Sequence, residues 1–159
     1  MLADLKLKQQ LDTTQALQRS VGGETILFAE DETRQLKLMQ NFLQSEGYRV
    51  LSARDGTEAV ELYSRHRHEI AVVILDIGLP RLNGWEVFLR MKKEAAEVKV
   101  LFATGYISPE IEAGIARGEL SGLIMKPYQL DDVLAKIALA IRSPATPDGR
   151  SKLDTISRY

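Results

Sequence analysis

Five polar side chains close otherwise apolar runs in this chain. Glu30 and Asp31 follow Thr25–Ala29, Asp76 follows Ile70–Leu75, Thr104 follows Val98–Ala103, and Lys126 follows Gly122–Met125. If those runs are neighbouring strands, three carboxylates, one hydroxyl and one ammonium converge on one sheet edge, where open parallel sheets bind their ligands. Three carboxylates in one place repel, which raises their pKa values and destabilises the fold. A hard divalent cation with oxygen ligands removes that conflict, and Mg²⁺ suits a site with few protein ligands and several waters. A cation, a lysine and a hydroxyl are also what a phosphoryl group requires to neutralise its oxygens. An aspartate carboxylate can attack phosphorus and form an aspartyl phosphate.

The segments that must position these groups alternate in character. Five short apolar runs, Thr25–Glu30, Tyr48–Ala53, Ile70–Asp76, Val98–Thr104 and Gly122–Met125, read as strands. The third and fourth are apolar and β-branched without clean alternation, the pattern of strands buried on both faces. Between them the spacing is helical. Leu36, Met39, Phe42 and Leu43 share a face, as do Ala59, Leu62 and Tyr63, then Val87, Phe88 and Met91. Ser108-Pro109 supplies an N-cap followed by proline at the first helical position. Leu130, Val133, Leu134, Ile137 and Ile141 mark the last helix. Five β–α units predict a parallel α/β sheet with helices on both faces, linked by right-handed crossovers. Val21-Gly22-Gly23 breaks the chain ahead of the first strand. We expect a linker or helical extension over residues 1–21, a folded domain over 22–142, and a largely disordered Pro/Ser/Thr-rich tail over 143–159.

Composition removes several classes of function. The 159 residues are enough for one ordinary domain. A hydrophobic content of 45% with 27% charged residues is that of a globular chain, not a disordered one. The formal charge of -1 offers no basic field for nucleic acid or an anionic membrane. The absence of cysteine excludes disulfides, a thiol nucleophile and Cys-ligated metals, and suits a reducing cytoplasm. The longest apolar run, Ile70–Leu75, is far short of the ~20 residues needed to cross a bilayer. There is no G-x-x-x-x-G-K-[ST] phosphate loop and no G-x-G-x-x-G. Arg65-His66-Arg67-His68 reads as a solvated basic helix end that favours the helix dipole.

Glu30-Asp31, the segment Asp76-Ile77-Gly78-Leu79-Pro80, Phe102-Ala103-Thr104-Gly105-Tyr106 and Met125-Lys126-Pro127-Tyr128 together resemble the receiver domain of two-component response regulators. The match covers about residues 24–142, and its specificity lies in the ordered set. The resemblance implies a flavodoxin-like (βα)5 fold with strand order 2-1-3-4-5. It implies Asp76 as phosphoacceptor, Glu30 and Asp31 as the acidic pair that holds Mg²⁺ with Asp76, and the backbone carbonyl of Gly78 as a further metal ligand. It implies Thr104 as the switch hydroxyl and Lys126, ahead of a usually cis Pro127, as the phosphate-pairing lysine. The implied partners are a histidine kinase or a histidine phosphotransfer protein. Pairing of two chains through residues 1–20 stays open, and neither direct nucleic-acid binding nor membrane insertion is expected. A softer resemblance, to receivers at the C-terminus of hybrid histidine kinases, would make residues 1–20 the end of a linker.

Two departures stand out. The aromatic usual three residues before the lysine is Leu123, and the position two after the acceptor is Gly78, which cannot steer a water. Tyr106, two after Thr104, offers a ring large enough to shield an acyl phosphate, and the direction of its effect stays open. Two other functions compete with the phosphoacceptor. One is a pseudo-receiver, a protein-interaction module acting without phosphorylation. The other is an aspartyl phosphohydrolase, which needs an acid–base carboxylate where this chain has Gly78.

Overall fold

The computed structural model describes residues 23–143, together with helical backbone at Ala3, Asp4 and Lys6. The expected linker over 1–21 and tail over 143–159 otherwise lie outside the described residues. Ten elements alternate strictly. The strands are β1 (Thr25–Ala29), β2 (Arg49–Ala53), β3 (Ile70–Asp76), β4 (Val100–Thr104) and β5 (Gly122–Met125). The helices are α1 (Thr33–Ser45), α2 (Gly56–His66), α3 (Gly84–Glu94), α4 (Pro109–Ala116) and α5 (Leu130–Arg142). All strand pairs are parallel, in the order β2-β1-β3-β4-β5. The chain therefore has the flavodoxin-like receiver fold that its motifs implied.

That order puts β1, β3 and β4 in the middle, where both faces must be covered. Their residues divide in twos between two cores. Ile26, Phe28, Val72, Ile74, Leu101 and Ala103 pack with Leu36, Met39 and Leu43 of α1 and Val133, Ile137 and Ala140 of α5. Leu27, Ala29, Val73, Leu75, Val100 and Phe102 pack with Ala59 and Tyr63 of α2 and Val87, Phe88 and Met91 of α3. The missing alternation in the third and fourth runs thus has a simple cause: both rows of side chains are inside.

The helix starts are written locally. Asp55 accepts a 2.8 Å bond from the Glu58 amide at the head of α2. Asn83 and Glu86 form a reciprocal capping box on α3, with bonds of 2.9 and 3.0 Å. Ser108 accepts from the Ile111 amide ahead of Pro109 on α4. The last helix departs from its expected face. Leu130 is exposed, Leu134 and Ile141 are only half-buried, and Ala140 takes an inner place. The buried stripe runs Val133–Ile137–Ala140, one helical face narrower than the leucine and isoleucine pattern implies.

Among the described residues no helix is long and apolar enough to cross a membrane. At the end of the sheet where β3 begins, a cavity of about 360 Å³ lies between Tyr63, Arg67, Ile70, Glu94 and Lys99. Burial pushes the Tyr63 phenol up to about 12, helped by the nearby Glu97 and Glu94 carboxylates. A phenol whose folded pKa lies above its unfolded value near 10 contributes stability that is intact below pH 10 and is lost as pH climbs toward 12. Urea unfolding at pH 9 and pH 11.5 checks this: wild type loses about 2 kcal/mol more between the two than Tyr63→Phe, which cannot ionise.

Candidate functional site

The two-residue period of the strands decides which polar groups meet. Glu30 continues the row Ile26–Phe28, Asp76 continues Val72–Ile74, and Lys126 lies one turn of the same pattern beyond Ile124. All three rows belong to the face covered by α1 and α5. Asp76 pairs in register with Ala103, and Ala103 with Ile124. Between lysine and aspartate lie Ala103 of β4 and Gly105 just beyond its end, so nothing larger than a methyl group stands on that row.

The outcome is a tight charge cluster. Lys126 Nζ donates to Glu30 Oε2 at 2.8 Å and lies 3.1 Å from Asp76 Oδ2. The other carboxylate oxygen of Asp76 accepts from the Gly78 amide at 3.1 Å. Glu30 is buried at 1% exposure and Asp76 at 9%, whereas Asp31 faces solvent. Ligand atoms of Glu30, Asp31 and Asp76 all lie within 4.8 Å of one another. Burial raises the Glu30 carboxyl above the usual carboxylate range, and Asp76 adds to the rise, against the bonds from Lys126 and Tyr128. Burial acts to lower the Lys126 ammonium, but its bonds to Glu30 and Asp76 prevail and raise it. Three carboxylates against one ammonium leave a net charge of -2 before solvent is considered, and one of the three opens to water. An all-oxygen, anionic, partly solvated donor set of this kind fits Mg²⁺.

The structure brings Glu30, Asp31, Asp76, Gly78 and Lys126 together. Thr104 ends the neighbouring strand on the opposite row, next after the Ala103 that pairs with Asp76. Its hydroxyl is engaged in its own loop: Oγ1 donates to the Tyr106 carbonyl at 2.7 Å and accepts from the Tyr106 amide at 3.1 Å. Tyr106 itself is 73% exposed and stands in solvent. Leu123 pairs with Phe102 and packs on the core shared by α2 and α3. The Lys126-Pro127 bond is cis.

One residue of the cluster was missed by sequence reasoning. The Tyr128 hydroxyl donates to Glu30 Oε2 at 3.2 Å, and its ring rests 6.2 Å from that of Phe28. Burial, with Glu30 and Asp76 nearby, raises this phenol, so it stays a donor. The available signal was a ring bearing a hydroxyl two places past the lysine.

Glycine fixes the loop that follows Asp76. The Gly84 amide donates to the Ile77 carbonyl at 3.0 Å, and a Cβ there would stand 2.5 Å from the Asp76 carbonyl oxygen and 2.9 Å from Ile77 Cα. Helix α3 can start against the Asp76 backbone because position 84 carries no side chain.

With the geometry in hand, the relatives can be set beside it. The family model for the response regulator receiver domain matches residues 26–138. A transcriptional regulatory protein of Bacillus subtilis, YkoG, is 32% identical over 122 residues, covering 76% of this chain and 52% of its own length. The regulator TcrA of Mycobacterium tuberculosis is 33% identical over 127 residues, covering 78% of this chain and 49% of its own. The sensor kinase CckA of Brucella abortus is 27% identical over 116 residues, covering 73% of this chain and 12% of its own. Among solved structures, a receiver domain from Clostridium thermocellum superposes with a TM-score of 0.68 at 27% identity, covering 74% of this chain and 94% of that one. A CheY-like receiver from Methanospirillum hungatei gives 0.67 at 28% identity, covering 76% and 94%. The architecture is that of a two-component receiver. The chain belongs to the response regulator receiver domain family, and it spans about half the length of the curated regulators it matches.

Two substitutions, one in the β3–α3 loop and one at the first residue of α3, test this construction with opposite signs. Arg81 holds φ at +68°, a left-handed conformation that costs a side-chain-bearing residue about 1–2 kcal/mol, and its 3.6 Å contact with Asp55 is exposed. Arg81→Gly raises stability by about 0.5–1 kcal/mol after glycine's greater unfolded-state freedom is deducted. Gly84→Ala lowers it by about 1–3 kcal/mol, because backbone atoms must shift to admit the methyl. Urea midpoints of the two variants against wild type check both.

Proposed function

We propose that this chain is a phosphoacceptor module of a two-component phosphorelay, carrying the phosphoryl group on Asp76. The observation that supports it is the convergence of Glu30, Asp31, Asp76 and Lys126 on one point at the carboxyl edge of the sheet. Glu30, Asp31, Asp76 and the Gly78 carbonyl would hold Mg²⁺. Bound there, the ion supplies charge neutralisation at the phosphoryl oxygens.

The residues divide the work. Asp76 is the nucleophile: a carboxylate oxygen attacks phosphorus, an O–P bond forms, and the N–P bond to the donor's phosphohistidine breaks. The leaving imidazole takes its proton from water. The Gly78 amide, bonded to Asp76 Oδ1, and Lys126, 3.1 Å from Oδ2, orient the carboxylate, and Oδ2 is freed to attack as the lysine turns to the incoming phosphoryl group. Lys126 pairs with the incoming negative charge, a point-charge role that suits its ammonium. Thr104 leaves the Tyr106 backbone and donates to the phosphoryl group, shifting a two-state equilibrium of the β4–α4 loop.

On this reading the donor is a histidine kinase or a histidine phosphotransfer protein. The chain is then a substrate as much as a catalyst, assisting its own phosphorylation and dephosphorylation. Residues 22–142 form the receiver module, preceded by a linker or helical extension over 1–21 and followed by a tail over 143–159, and it works in the cytoplasm.

Incubation with acetyl phosphate and Mg²⁺, followed by intact mass spectrometry, tests the reading. Wild type gains one phosphate adduct that is lost on adding EDTA beforehand and absent in Asp76→Asn. An unmodified wild type overturns the proposal in favour of an interaction module that works without phosphorylation. Removing Lys126 with Lys126→Met lowers the extent of modification at a fixed time by tenfold or more, as expected for loss of a charge that acts on the transferring group.

A further inference from the structure

The charge cluster contains a shared acceptor. Glu30 Oε2 receives both the Lys126 ammonium, at 2.8 Å, and the Tyr128 hydroxyl, at 3.2 Å. Lys126 is also committed elsewhere, 3.1 Å from Asp76 Oδ2 and 5.5 Å from the centre of the Tyr128 ring. A phosphoryl group arriving on Asp76 adds negative charge beside this ammonium and draws it away from Glu30. Glu30, at 1% exposure, has little water with which to replace a lost donor, and an unpartnered buried carboxylate is costly.

Tyr128 is built to stay. Its ring packs at 59° against Phe28, and Phe28 sits on β1 two residues before Glu30, in the same row of side chains. Carboxylate and hydroxyl are therefore fixed to one stretch of core, independent of where the flexible lysine goes.

We propose that Tyr128 is a positioning residue for Glu30, holding its carboxylate in the orientation that receives the cation while Lys126 is handed over to the phosphoryl group. This rests on the phosphoacceptor reading above. Tyr128 touches neither the cation nor the phosphoryl group; it acts through Glu30, as outer partners of metal ligands do.

Isothermal titration of MgCl₂ into the full chain, wild type against Tyr128→Phe, tests it. The phenylalanine keeps the ring against Phe28 and removes only the donor. The expected result is about tenfold weaker Mg²⁺ binding in Tyr128→Phe. With beryllofluoride present as the stand-in for a phosphoryl group on Asp76, the gap in Mg²⁺ midpoint widens, because Lys126 is then occupied. A Tyr128→Phe protein that melts lower but binds Mg²⁺ like wild type shows a structural role only and overturns the inference. A gap that does not widen with beryllofluoride overturns the hand-over. A wild type that binds Mg²⁺ and accepts phosphate, beside an equally competent Tyr128→Phe, sinks this inference and leaves the phosphoacceptor reading standing. A wild type that binds no Mg²⁺ sinks both.

Discussion

Glu30 and Asp76 share one ammonium, and the carboxyl edge of the sheet is organised around that fact. A buried carboxylate is unfavourable unless it is paired and hydrogen-bonded. Here two are placed side by side, and Lys126 reaches both. The lysine reduces the repulsion but cannot cancel it, since Asp31 adds a third negative charge close by. The fold thus holds a partly compensated anionic cluster that a divalent cation would complete. Stability alone would favour an apolar replacement for such a cluster. Its presence at the one edge where strand ends, loops and helix starts all converge is a functional argument, not an energetic one.

The apolar scaffold keeps that cluster together. Because β1, β3 and β4 are covered on both faces, their ends cannot slide past one another without exposing two cores at once. The rows that end in Glu30 and Asp76 therefore stay adjacent. The helix starts add a second constraint. Gly84 brings α3 directly onto the Asp76 carbonyl, and the Gly56 amide donates to the Pro80 carbonyl, tying the head of α2 to the same loop. Asp76 is held from the strand behind it and from two helices beside it.

Much of this was legible in the residues, for physical reasons that can be named. Strands buried on both faces announce themselves by continuous β-branched and apolar runs, and Ile70–Leu75 is such a run. Polar residues that interrupt those runs have to sit at strand ends, which is why Glu30, Asp76, Thr104 and Lys126 stood out. The helix cap at Ser108 is local chemistry and could be read locally. What could not be read depended on contacts distant in sequence or on backbone detail. The outward turn of Leu130 and the inward place of Ala140 follow from how α5 is rotated on the sheet, which its own periodicity leaves loose. The bond from Tyr128 to Glu30 joins positions 98 residues apart. The left-handed Arg81 is a conformation usually given to glycine, and nothing in the residue type signals it. The exposure of Tyr106 is set by the path of the β4–α4 loop, which its size alone does not reveal.

Thr104 shows how close to balance such a device can be. Its hydroxyl already makes two bonds, one given and one received, both to the backbone of Tyr106. Leaving them forfeits on the order of 1 kcal/mol each in net terms, and the freed Tyr106 groups can turn to water because that residue is exposed. A bond to a charged phosphoryl oxygen returns about 1.5–3 kcal/mol. On the phosphoacceptor reading the two sums nearly cancel, which is the condition for a switch that a single charged group can throw. With Leu123 in place of a ring on β5, no bulky side chain has to rotate through the sheet for this to happen. On the phosphoacceptor reading, the segment that responds is the loop from Thr104 to Ser108, which leads directly into α4. That helix lies against the Trp85 indole at Gly114, where an added Cβ would stand 3.2 Å from the ring. Trp85 in turn stacks on Phe102, two residues before Thr104. On the phosphoacceptor reading, the path from the acceptor to the surface then runs through a hydroxyl, a turn and a short helix resting on an indole.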